Sequence, residues 1–478
     1  MKKIIIIGAG ISGLSAGINL LKKGFSVEIY EKNSTVGGCC SGWYRDGYYI
    51  DNCMHWLTGT NQHTSLFKKW KEVGALSENS SLYQEDYFYK TNLGVKSVSL
   101  YSDLEKTRKE MYDASNIDGI IVDKKEIDSL IDTISEVVKI YLKLDIFKKF
   151  KGYIKPIIKY KNMSLKDLQD KFQTPILKTL LTDYFPKEYS SLALIYAYST
   201  FASGNGKIYQ KGSLAFSENI LNKFLSLGGK IYYGKEITKI NTLDKKAYSI
   251  SAKDGNIYYA DYFVSTTSLD YTFNTLLNNS CKPKEYFKKA IDKKNYPIVS
   301  SYQAAFVINK PLRPFKDTEM IEIPKTKVGS SIVDRVIIKE YPYLNEDKDK
   351  TLYEIMIIQK ERDYDYWNNL ITKDKKTYDL EKKAIANKII VHLENTYPNL
   401  KGNINLLDTW TPITYNRYFN LFKGSYMGFV FTKKSSIKRI SSKTNYKNVF
   451  IVSIWQSYTG GLPIALKLGY QIPKYIKK

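Results

Sequence analysis

Near the head of the chain, Gly8-x-Gly10-x-x-Gly13 has the spacing of a turn that brings a phosphate group against backbone amides. Gly8 permits a tight turn, Gly10 removes a side chain that would block the phosphates, and Gly13 lets the next helix pack closely on a sheet. Glu31 stands 18 residues beyond Gly13, where a carboxylate can accept hydrogen bonds from ribose hydroxyls. Together these residues point to a bound dinucleotide and leave open which one. Few other residues could do chemistry. The three histidines, His55, His63 and His392, are too few for a histidine-rich metal site. Cys39, Cys40, Cys53 and Cys281 form no CxxC and no even spacing, which excludes a zinc ribbon or a disulfide scaffold and fits a reducing compartment.

The elements that must position these residues are legible around them. Ile4–Ile7 is a β-branched run that ends at Gly8, the pattern of a parallel strand covered on both faces. Leu14, Ile18 and Leu21 follow at helical spacing, Gly24 closes the helix, and a second strand runs from Phe25 to Tyr30. That is a β-α-β unit. From about Thr64 to Phe201 the composition predicts a largely helical stretch. Gly212 to Gly229 reads as a helix with its start and stop. Strands are expected at Lys230–Tyr233, Glu236–Ile240, Ala247–Ser251, Asn256–Tyr259 and Tyr262–Ser265, then at 296–308 and 351–359. Leu380–Thr396 predicts an amphipathic helix, Lys447–Ser453 a buried strand, and the segment after Gly460-Gly461-Leu462-Pro463 a last helix.

The 478 residues exceed what one ordinary core fills, and 43% hydrophobic content excludes a disordered chain. The net charge of +25 comes from 66 lysines and only seven arginines against 48 acidic residues. A nucleic-acid reader leans on arginine for bidentate contacts, so no nucleic-acid partner is expected. The excess suits attraction to an anionic membrane surface. The apolar run at Ile4–Ile7 is too short for a signal peptide, and no segment approaches the ~18 apolar residues of a spanning helix. The expected location is cytoplasmic, on the inner face of the membrane. Between Lys139 and Lys161, lysines alternate with large apolar groups, a composition suited to lying in a membrane interface or to a solvated helix over a core.

Further motifs narrow the dinucleotide. Gly37-Gly38 follows Glu31-Lys32 after a short spacer. Gly47-Tyr-Tyr-Ile-Asp51-Asn-Cys53-Met-His55-Trp56 comes next. Later in the chain stand Thr411-Pro412-Ile413-Thr414-Tyr-Asn-Arg417-Tyr418, Gly424-Ser-Tyr-Met427-Gly428 and Asn448-Val-Phe-Ile-Val-Ser453-Ile454-Trp455 ahead of Gly460-Gly461-Leu462-Pro463. With these motifs the sequence resembles the phytoene desaturase, carotenoid isomerase and retinol saturase branch of the amine-oxidase-like flavoproteins. Departures from its usual pattern stand at Cys39 (usually Arg), Ser453 (usually Gly) and Ile454 (usually Asp, Glu or Gln).

The resemblance implies an α/β fold with a Rossmann-like FAD-binding domain of the glutathione-reductase type, interleaved with a mixed α+β substrate domain. The FAD domain is expected at 1–75, 205–295 and 420–478, the substrate domain at 76–204 and 296–419. FAD is the implied cofactor, with Gly8, Gly10, Ile11, Ser12, Gly13, Glu31, Lys32, Gly37, Gly38, Cys39, Ile237, Ser453, Gly461, Leu462 and Pro463 as its implied contacts. His55, Arg417 and Tyr458 are the implied catalytic set, and no metal is expected. Each has a plainer reading: His55 as an ordering residue beside Trp56, Arg417 as a structural salt bridge, and Tyr458 as core packing. Asp51 reads as a turn cap, and the cysteines as small space-fillers. The implied activity is FAD-dependent oxidation or reduction of a carbon–carbon bond in an apolar substrate of polyene or isoprenoid type. Redox-neutral isomerisation, amine oxidation and a non-catalytic nucleotide-bound docking protein are the alternatives.

Overall fold

The computed structural model describes residues 1–142, 157–280, 282–436, 438–457 and 460–477. Tyr458, Cys281 and most of the basic stretch between Lys139 and Lys161 lie outside the described residues.

The glycine turn sits between the first strand and the first helix. Strand β1 (Lys3–Ile7) leads through Gly8–Gly10 into helix α1 (Ile11–Lys22), and Gly24 closes the helix at φ +81° before strand β2 (Ser26–Tyr30). Ile4, Ile5 and Ile6 have no exposed surface, because their side chains alternate between two covered faces. β1 and β2 are central in a five-stranded parallel sheet in the order Lys230–Tyr232, β2, β1, Tyr262–Ser265, Val449–Ile451. On one face α1 packs against helices Gly212–Ser226 and Leu462–Gln471. Gly17 lies under the ring of Phe224, and a side chain at Gly469 would strike Ser15. The opposite face meets a three-stranded antiparallel sheet, Ile237–Leu243, Lys246–Ala252 and Ile257–Tyr259, through Ile5, Ile7, Ile240 and Ile250.

A hairpin of strands β3 (Gly42–Arg45) and β4 (Tyr48–Asp51) leaves the parallel sheet and leads to the loop carrying His55. Over this region lies a seven-stranded sheet in the order Ile404–Trp410, Val299–Asn309, Lys350–Lys360, Ser331–Tyr341, Thr318–Val328, Tyr87–Leu93, Lys96–Tyr101. All its pairings are antiparallel except that of Thr318–Val328 with Tyr87–Leu93. Helices Glu361–Lys373 and Lys375–Thr396 cover its outer face around Trp367 and Phe306.

The expected helical run from Thr64 to Phe201 is corrected in part. Tyr87–Leu93 and Lys96–Tyr101 are strands, because Phe88, Tyr89, Val98 and Leu100 fill the sheet's inner face beneath helices Lys124–Tyr141, Pro175–Asp183 and Ser191–Ala202. Tyr-Phe-Tyr followed by a turn at Gly94 (φ +56°) is strand chemistry inside a lysine-rich background that read as helix. Strands Thr318–Val328 and Ser331–Tyr341 were likewise absent from the sequence reading. They carry charged residues at the edges of their burial pattern, and their inward face is set by pairing with neighbours.

Gly13 gives the clearest steric test of this arrangement. A Cβ there would stand 2.1 Å from the Gly8 carbonyl oxygen. Gly13→Ala is expected to cost roughly 1–3 kcal/mol of stability, the usual range for overpacking. The check is the denaturant midpoint of the purified variant, and a midpoint equal to wild type would mean that the turn yields freely.

Candidate active site

A cavity of about 400 Å³ opens where β1 and β2 end and extends beneath the seven-stranded sheet. Gly8, Gly10, Ile11 and Ser12 form one wall, with Gly37, Gly38 and Cys39 beside them. The turn is held from several directions. Thr266 Oγ1 donates to the carbonyls of Ile7 and Gly8 (2.9 and 3.0 Å), and Gly37 N–H donates to Ala9 O (2.9 Å). Gly10 caps α1 with no side chain, so the first amides of the helix are uncapped at the cavity wall. A Cβ on Gly10 would face only the Gly37 carbonyl at 3.8 Å, so this glycine keeps an approach open. Uncapped amides at a helix start are the donors a pyrophosphate needs. Across the cavity, Gly461 (φ +89°) caps helix Leu462–Gln471, again without a side-chain acceptor. Leu462, Pro463 and Ser453 line this second wall. Gly13 lies behind the turn, packed on Gly8.

Glu31 is buried at the end of β2. Its Oε2 accepts from Ala9 N–H (2.8 Å), and its Oε1 accepts from the backbone and side-chain nitrogens of Asn33 (2.9 and 3.0 Å). Burial raises its carboxyl above the ordinary range, opposed by these hydrogen bonds. Lys32 lines the same end, but its amine donates to Arg417 O (2.8 Å) and Asn420 Oδ1 (2.7 Å) and pairs with Glu236 at 3.7 Å. It ties the strand end to the loop after residue 417. Ile237 is buried nearby and accepts from the Tyr271 hydroxyl at 2.9 Å.

At the far end stand His55, Trp56, Cys53, Gln303, Tyr415, Tyr426 and Met427. Asp51 sets this loop. Its Oδ1 accepts from the amides of Cys53 (2.9 Å) and Met54 (3.0 Å) and from Ser213 Oγ (2.6 Å), and its Oδ2 accepts from Ser213 N (2.6 Å). The carboxylate caps the turn and pins it to helix Gly212–Ser226. His55 Nδ1 is buried with no hydrogen-bond partner. Burial, and then the Lys339 cation, push the imidazole down to about 3, so the ring is neutral at physiological pH. Lys339 is itself fully buried and paired with Glu85.

Of the expected catalytic residues, His55 stands on this wall and Arg417 does not. Arg417 is exposed, its guanidinium 4.7 Å over the ring of Tyr418, and it does not line the cavity. It sits at the C-terminal turn of helix Pro412–Phe419, whose inward face is taken by Ile413 and Tyr415. Tyr458 lies outside the described residues. The sequence reading missed Gln303, Tyr415 and Tyr426. Gln303 Nε2 donates to Ser301 Oγ (2.7 Å) and to the Tyr415 hydroxyl (3.0 Å), which also accepts from Trp410 Nε1 (3.1 Å). A lone glutamine inside the apolar strand Val299–Asn309 was the available signal.

Residues 11–471 match the family model for flavin containing amine oxidoreductases. Among curated proteins the chain is similar to the 4,4'-diaponeurosporene oxygenases of Staphylococcus aureus (23% identity, 98% of this chain and 97% of that protein) and Staphylococcus haemolyticus (26%, 98% and 96%). Among solved structures it is similar to an oxidoreductase from Methanosarcina mazei (TM-score 0.61, 15% identity, 99% of this chain and 100% of that one). It is also similar to wild-type putrescine oxidase bound to putrescine (TM-score 0.58, 14% identity, 99% and 98%). At such identities the structural likeness shows the fold, and the family match extends over nearly the whole chain. The chain whose two glycine turns, uncapped helix starts and buried Glu31 line this cavity therefore belongs to the flavin-containing amine oxidoreductase family and is an FAD-dependent oxidoreductase.

Proposed function

We propose that this enzyme oxidises or reduces a carbon–carbon bond of an apolar substrate of polyene or isoprenoid type. The observation that carries this reading is the charge distribution in the cavity. Among the described lining residues the only charged ones are Glu31, Lys32, Lys235 and Glu236, all at the β2 end. The far end offers sulfur, amide, hydroxyl, imidazole and aromatic groups. An ammonium substrate would be buried there without a counter-ion, at a cost that disfavours amine oxidation. The relatives named for 4,4'-diaponeurosporene support the same choice.

FAD, when bound, supplies a two-electron carrier that exchanges hydride with a substrate carbon at N5. The chain's own groups would orient it. The amides of Ile11 and Ser12 would hold the pyrophosphate, with Gly8, Gly10, Gly37 and Gly38 giving access and Gly13 keeping the helix in place. Glu31 would accept from ribose hydroxyls with the lone pairs left after Ala9 and Asn33. Ile237, Cys39, Ser453, Gly461, Leu462 and Pro463 would complete the walls that hold the cofactor. Lys32 acts at one remove, by fixing the strand end. Neutral at pH 7, His55 lacks the acidic second proton of an imidazolium, so it orders the far wall and accepts a proton at most weakly. Trp56 and Tyr426 help keep the reacting region dry.

The FAD-binding unit would comprise 1–75, 205–295 and 420–478, and the substrate unit 76–204 and 296–419. In support, every strand of the parallel sheet comes from the first set and every strand of the seven-stranded sheet from the second. A cytoplasmic enzyme drawing an apolar substrate from an anionic membrane surface suits the net charge of +25.

Anaerobic mixing tests the reading. A polyene or isoprenoid hydrocarbon should bleach the flavin absorbance, or reoxidise dithionite-reduced flavin, whereas putrescine should do neither; rapid bleaching by putrescine alone would sink it. Glu31→Ala should weaken FAD binding by about 1.5–3 kcal/mol, roughly ten- to hundredfold, by fluorescence titration. An unchanged dissociation constant would remove Glu31 from the ribose. Cosedimentation with phosphatidylglycerol vesicles should be clear at low ionic strength and fade as salt rises, since each surface lysine contributes about 1 kcal/mol. Equal cosedimentation with neutral phosphatidylcholine vesicles would refute the electrostatic docking.

A further inference from the structure

Cys40 and Cys53 face each other at the open end of the β3–β4 hairpin. The turn at Asp46-Gly47 (φ +48° and +77°) sets the register, with Arg45 opposite Tyr48 and Gly42 opposite Asp51. One step further, Asn52 N–H donates to Ser41 O at 3.0 Å, which makes residues 41 and 52 the hydrogen-bonded pair. Carried one step past that bond, the register sets Cys40 and Cys53 near each other, and the ideal separation of Cα atoms at such a non-hydrogen-bonded position is about 4.5 Å. A disulfide spans Cα separations of roughly 4.4–6.8 Å. Cys40 Sγ donates to Ser213 O at 3.7 Å, and the neighbouring Cys40 thiol is the main influence on the Cys53 thiol. Both residues line the flavin cavity, Cys40 buried and Cys53 partly open to it. Cys39, adjacent to Cys40 in sequence, is excluded as partner by chain geometry, since neighbouring cysteines bridge only with strain.

We propose that Cys40 and Cys53 are a redox-active thiol pair, converted reversibly to a disulfide by a hydroperoxide that enters the flavin cavity. The hydroperoxide transfers one oxygen to a cysteine sulfur, giving a sulfenic acid and releasing an alcohol, or water when the oxidant is hydrogen peroxide. The second sulfur then displaces that oxygen as water and the S–S bond forms. Two thiols lose two electrons and two protons, and the peroxide O–O bond is reduced. The Cys40 thiol and burial hold the Cys53 proton well above the ordinary range. A bridge that is open to the cavity on the Cys53 side is accessible to a reducing thiol, as suits a switch rather than a structural staple. Closed, it would tie the Asp51–Leu57 loop, with His55, to the Gly37-Gly38 turn.

The experiment uses the full-length protein with FAD. After hydrogen peroxide, free thiols are alkylated without reduction and peptides are mapped by mass spectrometry. The expected result is a cross-linked peptide containing Cys40 and Cys53, two hydrogens lighter than the separate peptides and abolished by dithiothreitol. Titratable thiols in the denatured protein should fall from four to two. C53G should give no cross-link, and because the proposal is read from the wild-type map, it stays testable if that variant folds poorly. A bridge involving Cys39, irreversible oxidation of Cys40 or Cys53 without a bridge, or four intact thiols at a dose that oxidises the exposed Met1 would each overturn it.

Discussion

The peptide of Ala9 is held from both sides, and the flavin cavity depends on it. Its N–H is bound by the buried carboxylate of Glu31 and its carbonyl by the N–H of Gly37. Those two bonds fix the end of β2 and the diglycine segment relative to the start of α1. The amides at the helix start stay uncapped because Gly10 offers them no side chain. A buried carboxylate is costly by itself, and its hydrogen bonds to backbone amides make the position tenable. The same interaction that stabilises the turn thus leaves it poor in internal acceptors and receptive to an anionic ligand.

Asp51 plays the corresponding part at the other end. It gathers four donors from the loop after β4 and from Ser213, and so carries His55 and Trp56 to the wall opposite the glycine turns. Beyond it the seven-stranded sheet supplies neutral groups, ordered by the Ser301, Gln303, Tyr415 and Trp410 hydrogen bonds. The cavity is therefore charged at the β2 end and neutral at the far end. That division follows from which sheet supplies each wall.

Cys53 illustrates how a local departure acquires meaning from its surroundings. Along the chain the four cysteines read as small space-fillers. The hairpin, continued by the Asn52–Ser41 hydrogen bond, brings Cys40 near Cys53 across thirteen residues of chain, and both stand on the cavity wall.

The sequence by itself determined the β-α-β unit, the glycine turns and Glu31, because these are local: strand, turn and helix follow within thirty residues, and glycine is required wherever backbone approaches backbone. The strands around residues 230–265 and the C-terminal Gly461 turn were legible for the same reason. The strands at 87–101 and 318–341 were not: each pair is a local hairpin, but the face it buries is chosen where the two hairpins meet, with Glu319 set beside the distant Lys90. Which side chains reach the cavity was also a tertiary decision. Arg417 and Tyr415 lie two residues apart on one helix, and its packing sends the tyrosine inward to Gln303 and leaves the arginine in solvent. Lys32, beside Glu31, is spent on a carbonyl nearly four hundred residues downstream. Spacing can specify a turn, but the direction of a side chain depends on what the rest of the fold places against it.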